Sequence, residues 1–427
     1  MHLGRPVAQV FGKAHRTALR SVLTLVGMAC AGIPRRFHLA DLQDVGFALV
    51  TGGRRVLSRW QIWAFFKRLT ARASRRFQTL TSPLRTAPWK RWEVSADDHG
   101  VVRWTKTQPV PKGYHSTRNK YTKEDRLYSL FEVRRRRFLA VRVAPGNDDW
   151  SPALRRWVRQ CRQRRRDTAW RLLLDAAASK KTRVLADFLA LPGLTLLIRA
   201  CRRPAVRARW RRLLNRRGRV HPDPSPASRK SVEVMGTRTR VDQRAVRTVV
   251  AREPHGPAGK ERYHGLLSTD EYKPNLGLIR EFRQRQRHEL AHRWLVHHES
   301  LDALPDSYAR FAPPEVYQFD GVRTEFMAWT KALAYNLFRD FQERLGGRYK
   351  RLSPATLARQ LLWRPGRVFQ TNTHLVVEIA GLPNRPEVVQ YVRWLNHRRI
   401  RIPWYGNRIL VVSPVKKFGP YHLEKPG

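Results

Sequence analysis

The chain has 427 residues, 42% of them apolar, enough to bury the cores of roughly two to four domains and too many for a disordered polymer. Lys and Arg number 85 against 33 Asp and Glu, a net charge of +52 that repels itself unless a polyanion neutralises it. Nucleic acid is the expected polyanion, because each phosphate contact releases counterions. Cys30, Cys161 and Cys201 lie far apart with no CxxC pair, which excludes a disulfide framework and a cysteine zinc site and fits a reducing compartment.

Residues 1–90 read as helical. Ser21 to Ile33 is apolar and follows HRTALR, so it mimics a signal peptide; it is too short to span a bilayer and is expected as a buried helix. LADLQDVGFALV and SRWQIWAFFKRL carry apolar residues at helical spacing around Thr51-Gly52-Gly53, which suits a helix-turn-helix or ordinary helix packing equally. From residue 91 the pattern turns to strands. RWEVSADD is one; RLYSLFEV and RFLAVRVA form a hairpin about Arg134 to Arg137. A helix from about Pro152 to Arg166, the buried strand AWRLLLD, the helix KKTRVLADFLAL and the buried strand LTLLIRAC follow. Strand, hairpin, helix, strand, helix, strand predicts a mixed five-stranded α/β sheet with helices on both faces over 91–201.

Residues 202–262 break that rhythm. RRPAVRARWRRLLNRRGR is strongly basic, HPDPSPAS is a linker, SVEVMGTRTRV and AVRTVVARE read as strands, and HGPAGKER is a loop: a basic, β-rich insertion. The core resumes over 263–345 with YHGLLST, then one helix, LIREFRQRQRHELAHRWLVHH, and a second over about 322–343 that aligns Phe326, Trp329, Leu333, Leu337 and Phe341. Residues 346–427 end in strand, helix, strand: HLVVEIA, EVVQYVRWLNHR, RILVVS.

In a chain this poor in acids, an acid at the end of an apolar strand needs a reason. Asp97 and Asp98 end RWEVSADD, Asp175 ends AWRLLLD, and Glu289 lies within the basic helix. Strand-end carboxylates on adjacent strands, joined by one from a packed helix, can converge on a pair of Mg²⁺ ions, which accept few protein carboxylates and keep phosphate and water oxygens. A strand-end Asp is also a common turn former or helix cap. Phe282, Arg285, Glu289 and Arg293 are spaced to share one helix face, so that an Arg beside the Glu can hold a phosphate or form an intrahelical ion pair. Trp157, Trp170 and Trp210, set among basic residues, could stack on bases or belong to the core.

These motifs resemble the bacterial cut-and-paste insertion-sequence transposases that carry a DDE triad and a β-rich insertion. Their signature helix, Y-x2-R-x3-E-x6-K after a strand ending LLxT, is similar to Leu266 to Thr269 followed by Phe282-x2-Arg285-x3-Glu289. Asp97, in ADDHGVVRWT, matches the first family Asp, Asp175 the second, and Ile198-Arg199 a family I-R pair. PKGYHSTRNKY, RRRFLAVRVAPGN and IPWYGNRILVVS extend the likeness over about 90–427. Two positions depart from the pattern: Phe282 replaces the Tyr, and Val296 stands where the Lys falls, with His297 or Arg293 nearby. The resemblance implies an RNase H-like core in which Asp97, Asp175 and Glu289 bind two Mg²⁺ (or Mn²⁺). Arg285, Arg293, Arg199 and Phe282 would face DNA. The implied activity is cutting of transposon ends and joining to target DNA, by a homodimer in a synaptic complex, in the bacterial cytoplasm at the nucleoid, with no membrane partner.

Two other functions compete. A catalytically inactive or domesticated nucleic-acid-binding protein would fit the charge alone. His288-Glu289-Leu290-Ala291-His292 also spells HExxH, the zinc metalloprotease signature, with His297, His298 and Glu299 as nearby third ligands whose spacing fits no known pattern. That function would leave the charge, Asp97 and Asp175 without a role.

Overall fold

The computed structural model describes residues 3–42, 44–105, 109–115, 120–163, 168–176, 182–189, 193–200, 204–222, 231–241, 244–255, 260–298, 301, 303–305, 308–311 and 316–418. The chain divides into two compact units: Met1–Thr81 with Arg293–Ala309 and Asp320–Gly427, and Ser82–His292 with Arg310–Phe319.

The second unit is built on a ten-stranded sheet. Its strands are β1 (Arg91–Val102), β2 (Lys112–His115), β3 (Lys120–Glu132), β4 (Arg137–Pro145), β5 (Ala169–Leu174), β6 (Leu194–Arg199), β7 (Arg219–Pro222), β8 (Ser231–Val241), β9 (Arg244–His255) and β10 (Lys260–Ser268). Strand β3 pairs antiparallel with both β1 and β4, whereas β5 runs parallel to β1 and β6 parallel to β5. The order β4-β3-β1-β5-β6 with these directions is that of an RNase H-like core. The expected β-rich insertion does not stand apart from it. Strand β10 pairs antiparallel with β6, and β9, β8 and β7 continue outward from β10, so the insertion widens the same sheet. Of HPDPSPAS, 223–228 lie outside the described residues, and of HGPAGKER, 256–259; the loop expected over HGPAGKER is shorter than read, since His255 belongs to β9 and Lys260, Glu261 and Arg262 to β10.

Alternation along β1 decides what each sheet face does. Trp92, Val94 and Ala96 enter an apolar core with Leu154 and Val158 of α1 (Trp150–Gln163) and Leu185 and Phe188 of α2 (Thr182–Leu189). Trp210 and Leu214 of α3 (Pro204–Arg217) join that core. Trp170 stacks on Trp92, with ring centroids 5.6 Å apart, so Trp170 and Trp210 are core residues rather than exposed stacking surfaces. The other face carries Ser95 and Asp97 and is covered by α4 (Asn275–Arg283) and α5 (Gln286–His297), whose side chains reach Arg171 of β5 and both of those β1 residues.

The single helix expected over 278–298 is two. Gln284 and Arg285 form a turn between α4 and α5 in which Arg285 N–H donates to the Phe282 carbonyl three residues back, not four (3.0 Å). No Gly or Pro marks this break. Its cause is tertiary: Glu281 is held by Arg171 and Lys273, while Arg285 is held by Asp97.

In the first unit, Ser21 to Cys30 belongs to a helix, His15–Cys30, that buries Val22, Leu25 and Met28. Segment 39–69 yields a six-residue helix, Val45–Val50, and a ten-residue helix, Arg59–Arg68, the latter opened by a capping box of Ser58 and Gln61. Phe65 and Phe66 of the longer helix pack on Phe326, as does Phe77. Helix Val322–Leu345 is buried on nearly every side from Phe326 to Asn336, so it is a central helix and not one with a single apolar stripe. The C-terminal strands His374–Ala380 and Arg408–Val415 pair in parallel around helix Pro386–His397, and Gly366–Gln370 and Arg401–Ile402 add antiparallel edges.

Candidate active site

The register of β1 against β5 has Ser95 opposite Leu173 as its last described pair; β5 ends one residue later, and counting on two steps brings Asp97 level with Asp175. Likewise Leu174 pairs with Ile198, so the next step sets Asp175 beside Arg199, whose Nη1 is 3.8 Å from Asp175 Oδ1. Asp97 lies in the middle of β1, which runs on to Val102, and not at the strand end expected from the sequence; Asp175 directly follows the last residue of β5, and Arg199 is the last residue of β6. Strand β1 has an antiparallel neighbour, β3, on one side and a parallel one, β5, on the other.

Adjacent residues on β1 part company. Asp97 points toward α5. Asp98 instead accepts from Arg126 Nη1 of β3 at 2.9 Å. Of the two, Asp97 belongs to the site.

Arg285 ties the strand to the helix. Its Nη2 donates to Asp97 Oδ1 at 2.8 Å, and its Nη1 donates to Glu289 one turn along α5. The guanidinium is buried, with 6% of the side chain exposed, whereas Glu289 is half exposed. Burial pushes the Asp97 carboxyl up to about 6; Arg285 opposes that shift, and the negative charges of Asp98, Asp175 and Glu289 add to it. The three carboxylates therefore share one electrostatic neighbourhood. Phe282 is half-buried on the far side of the helix break, and Arg293 is exposed. Neither has a described hydrogen bond or ion pair to the carboxylates.

The site bears on divalent metal in two ways. Among the described residues, no group of three His, Cys, Asp or Glu side chains is assembled as a metal site; the Arg285 fork stands between Asp97 and Glu289. Yet two guanidiniums, Arg285 and Arg199, stand against three carboxylates. Asp97 stays protonatable near pH 6, and Asp175 Oδ1 is buried with no hydrogen-bond donor. An all-oxygen carboxylate set with surplus negative charge fits a hard cation such as Mg²⁺ or Mn²⁺.

The HExxH histidines do something else. His288 and His292 are buried, and the Nε2 atoms of both meet the Ser129 hydroxyl, at 2.9 and 2.6 Å. His288 Nδ1 is 3.0 Å from the Ser95 hydroxyl. Phe131 stacks on His288, with centroids 4.9 Å apart. Burial holds His288 well below its usual range, with His292 and Arg285 adding; burial, with His99 and Arg285 adding, lowers His292 to about 3. Both are neutral, and both His288 nitrogens are engaged by serines. The pair packs α5 on the sheet, where a zincin would need both imidazoles open to a metal. Of the third-ligand candidates, His298 is buried against Trp294 and Glu299 lies outside the described residues.

Ser95 and Ser129 were not recognisable as partners from the sequence. The available signal was weak: Ser95 lies two residues before Asp97 on an alternating strand, and so shares its face. Ser129 is the cross-strand partner of Asp97.

No family model matches the chain, and no curated protein matches it. Among solved structures it is similar to a piggyBac transposase, determined by cryo-EM in a synaptic complex with hairpin DNA. The identity is 12%, the match covers 81% of this chain and 70% of that one, and the TM-score is 0.42. Among the described residues no helix is long and apolar enough to cross a membrane.

Proposed function

We propose that the chain is a DDE-type DNA transposase that cuts transposon ends and joins them to target DNA. The observation that supports this reading best is the Arg285 guanidinium joining Asp97 to Glu289 on an RNase H-like sheet, with the charge of Asp175 felt at Asp97. The charge of +52 supplies affinity for the phosphate backbone.

Asp97, Asp175 and Glu289 would hold two divalent ions, Mg²⁺ or Mn²⁺, which when bound would activate the attacking oxygen and offset charge on the leaving one. Arg199 presents a cation at the end of β6 for a backbone phosphate. His288, His292, Ser95 and Ser129 fix α5 on the sheet, and so fix where Glu289 stands relative to Asp97. Arg293, exposed on α5, and Phe282, at its entrance, are assigned to DNA on the strength of the signature helix. The protein would work as a homodimer on two ends, in the bacterial cytoplasm at the nucleoid.

The experiment is strand cleavage of duplex DNA taken from either side of the gene, with Mg²⁺, with Mn²⁺ and with chelator. Metal-dependent nicking at a fixed position, followed by joining to a second duplex, is expected. Binding without cleavage under every metal condition would contradict catalysis and favour a purely DNA-binding protein.

A further inference from the structure

We propose that Arg285 is an internal counter-ion that keeps divalent metal out of the carboxylate site until a DNA phosphate draws its guanidinium away. This rests on the reading of Asp97, Asp175 and Glu289 as metal ligands.

Three observations carry it. First, the guanidinium bridges Asp97 and Glu289, so it engages oxygens from two of the three carboxylates that a cation would need. A fixed positive charge and a divalent ion cannot share that place, because like charges about 4 Å apart repel by several kcal/mol at the effective dielectric of such sites. Second, Arg285 lies in the turn between α4 and α5, not inside a helix. The described hydrogen bonds of its side chain go to Asp97 and Glu289 alone, so a phosphate that replaces them frees the guanidinium to move. Third, its Nε is buried with no hydrogen-bond partner. The fork thus has an unused donor, and a phosphate accepts two parallel N–H groups from one guanidinium as a carboxylate does. Arg199, at the end of β6 beside Asp175, gives the incoming phosphate a second cation.

The exchange conserves charge. Before DNA arrives, Arg285 offsets part of the negative charge of Asp97 and Glu289. Afterwards it pairs with phosphate, and the released Asp97 and Glu289 take the metal. Coupling of this kind is reciprocal: DNA raises metal affinity by the factor by which metal raises affinity for that phosphate. A metal-free protein would then not load ions and nick DNA at random.

The test is Mn²⁺ binding to the full chain without DNA, read by the loss of free-ion electron paramagnetic resonance signal. Arg285→Gln should bind Mn²⁺ at least tenfold tighter than the wild type, and Arg285→Gln combined with Glu289→Gln should lose that gain. If Arg285→Gln binds no tighter than wild type while Glu289→Gln alone weakens binding, the counter-ion proposal is overturned and the metal site stands. If the double variant binds as tightly as Arg285→Gln, the ion is not on these carboxylates and the metal reading itself fails. A second measurement covers the case in which Arg285→Gln does not fold. A duplex of about 20 base pairs should raise Mn²⁺ uptake by the wild type at least tenfold beyond that of the duplex alone. An equal rise in Glu289→Gln, or none in the wild type, overturns the proposal.

Discussion

Asp97 and Asp98 show how much one position decides. Both lie in the middle of one strand, yet alternation turns Asp97 to Arg285 and Asp98 to Arg126. Burial lifts the folded-state pKa of Asp97 from 3.8 to about 6. A raised carboxyl pKa means that the folded state binds the proton more tightly, so the associated stability is present below pH 4 and lost as pH rises through 6. In the metal-free protein, Asp97→Asn escapes that loss. Its advantage over wild type should grow by about 1 kcal/mol between pH 5 and pH 7.5 in urea unfolding. His288 and His292 are the converse case, a motif whose chemistry looked complete in the sequence. Their partners, Ser95 and Ser129, lie more than 150 positions away, and no local pattern announces them. His288→Ala opens a cavity and removes the partner of the buried Ser95 hydroxyl, so it should cost about 2–4 kcal/mol in urea unfolding. Glu289→Gln, at a half-exposed position, should stay within about 1 kcal/mol of wild type.

At the scale of elements, periodicity identified β1, β3, β4, β5 and β6 in chain order, because each is an apolar or alternating run bounded by polar turns. The short turn between β3 and β4 gave their antiparallel pairing as a hairpin, whereas β1 pairs antiparallel with β3 across a long connection that no local pattern announces. The helix break at Gln284 and Arg285 was not legible: every residue there is a good helix former, and the interruption comes from ion pairs to β1 and β5 that are remote in sequence. Nor was the fate of the insertion legible, since β7 to β10 look the same whether they form a separate sheet or widen the first. What joins them is visible at Gly265 of β10, where the Trp210 ring of α3 lies so close that a Cβ would run into it. Gly265→Ala should therefore force Trp210 aside, cost about 1–3 kcal/mol in urea unfolding and change the tryptophan emission of the native state. Gly277→Ala in α4, where only a flexible lysine side chain is met, serves as the tolerant comparison.

At the scale of the whole molecule, the charge is the plainest signal in the sequence and the least dependent on the fold. It predicts duplex affinity that falls by about a thousandfold or more between 50 and 200 mM salt, measured by fluorescence anisotropy. A flat response would mean that the arginines reflect composition alone. Function turns on a smaller thing, whether Asp97, Asp175 and Glu289 act as one unit. The most direct measurement is Mg²⁺-dependent cleavage of the flanking DNA by Asp97→Asn, Asp175→Asn, Glu289→Gln, His288→Ala and His292→Ala, with duplex affinity measured on the same preparations. The three carboxylate variants should each lose at least a thousandfold in cleavage while binding DNA within about threefold of wild type, since groups that act together are not additive. The two histidine variants, where folded, should still cut. Carboxylate variants that cleave normally, or histidine variants that bind but are as inactive as Glu289→Gln, would contradict the account.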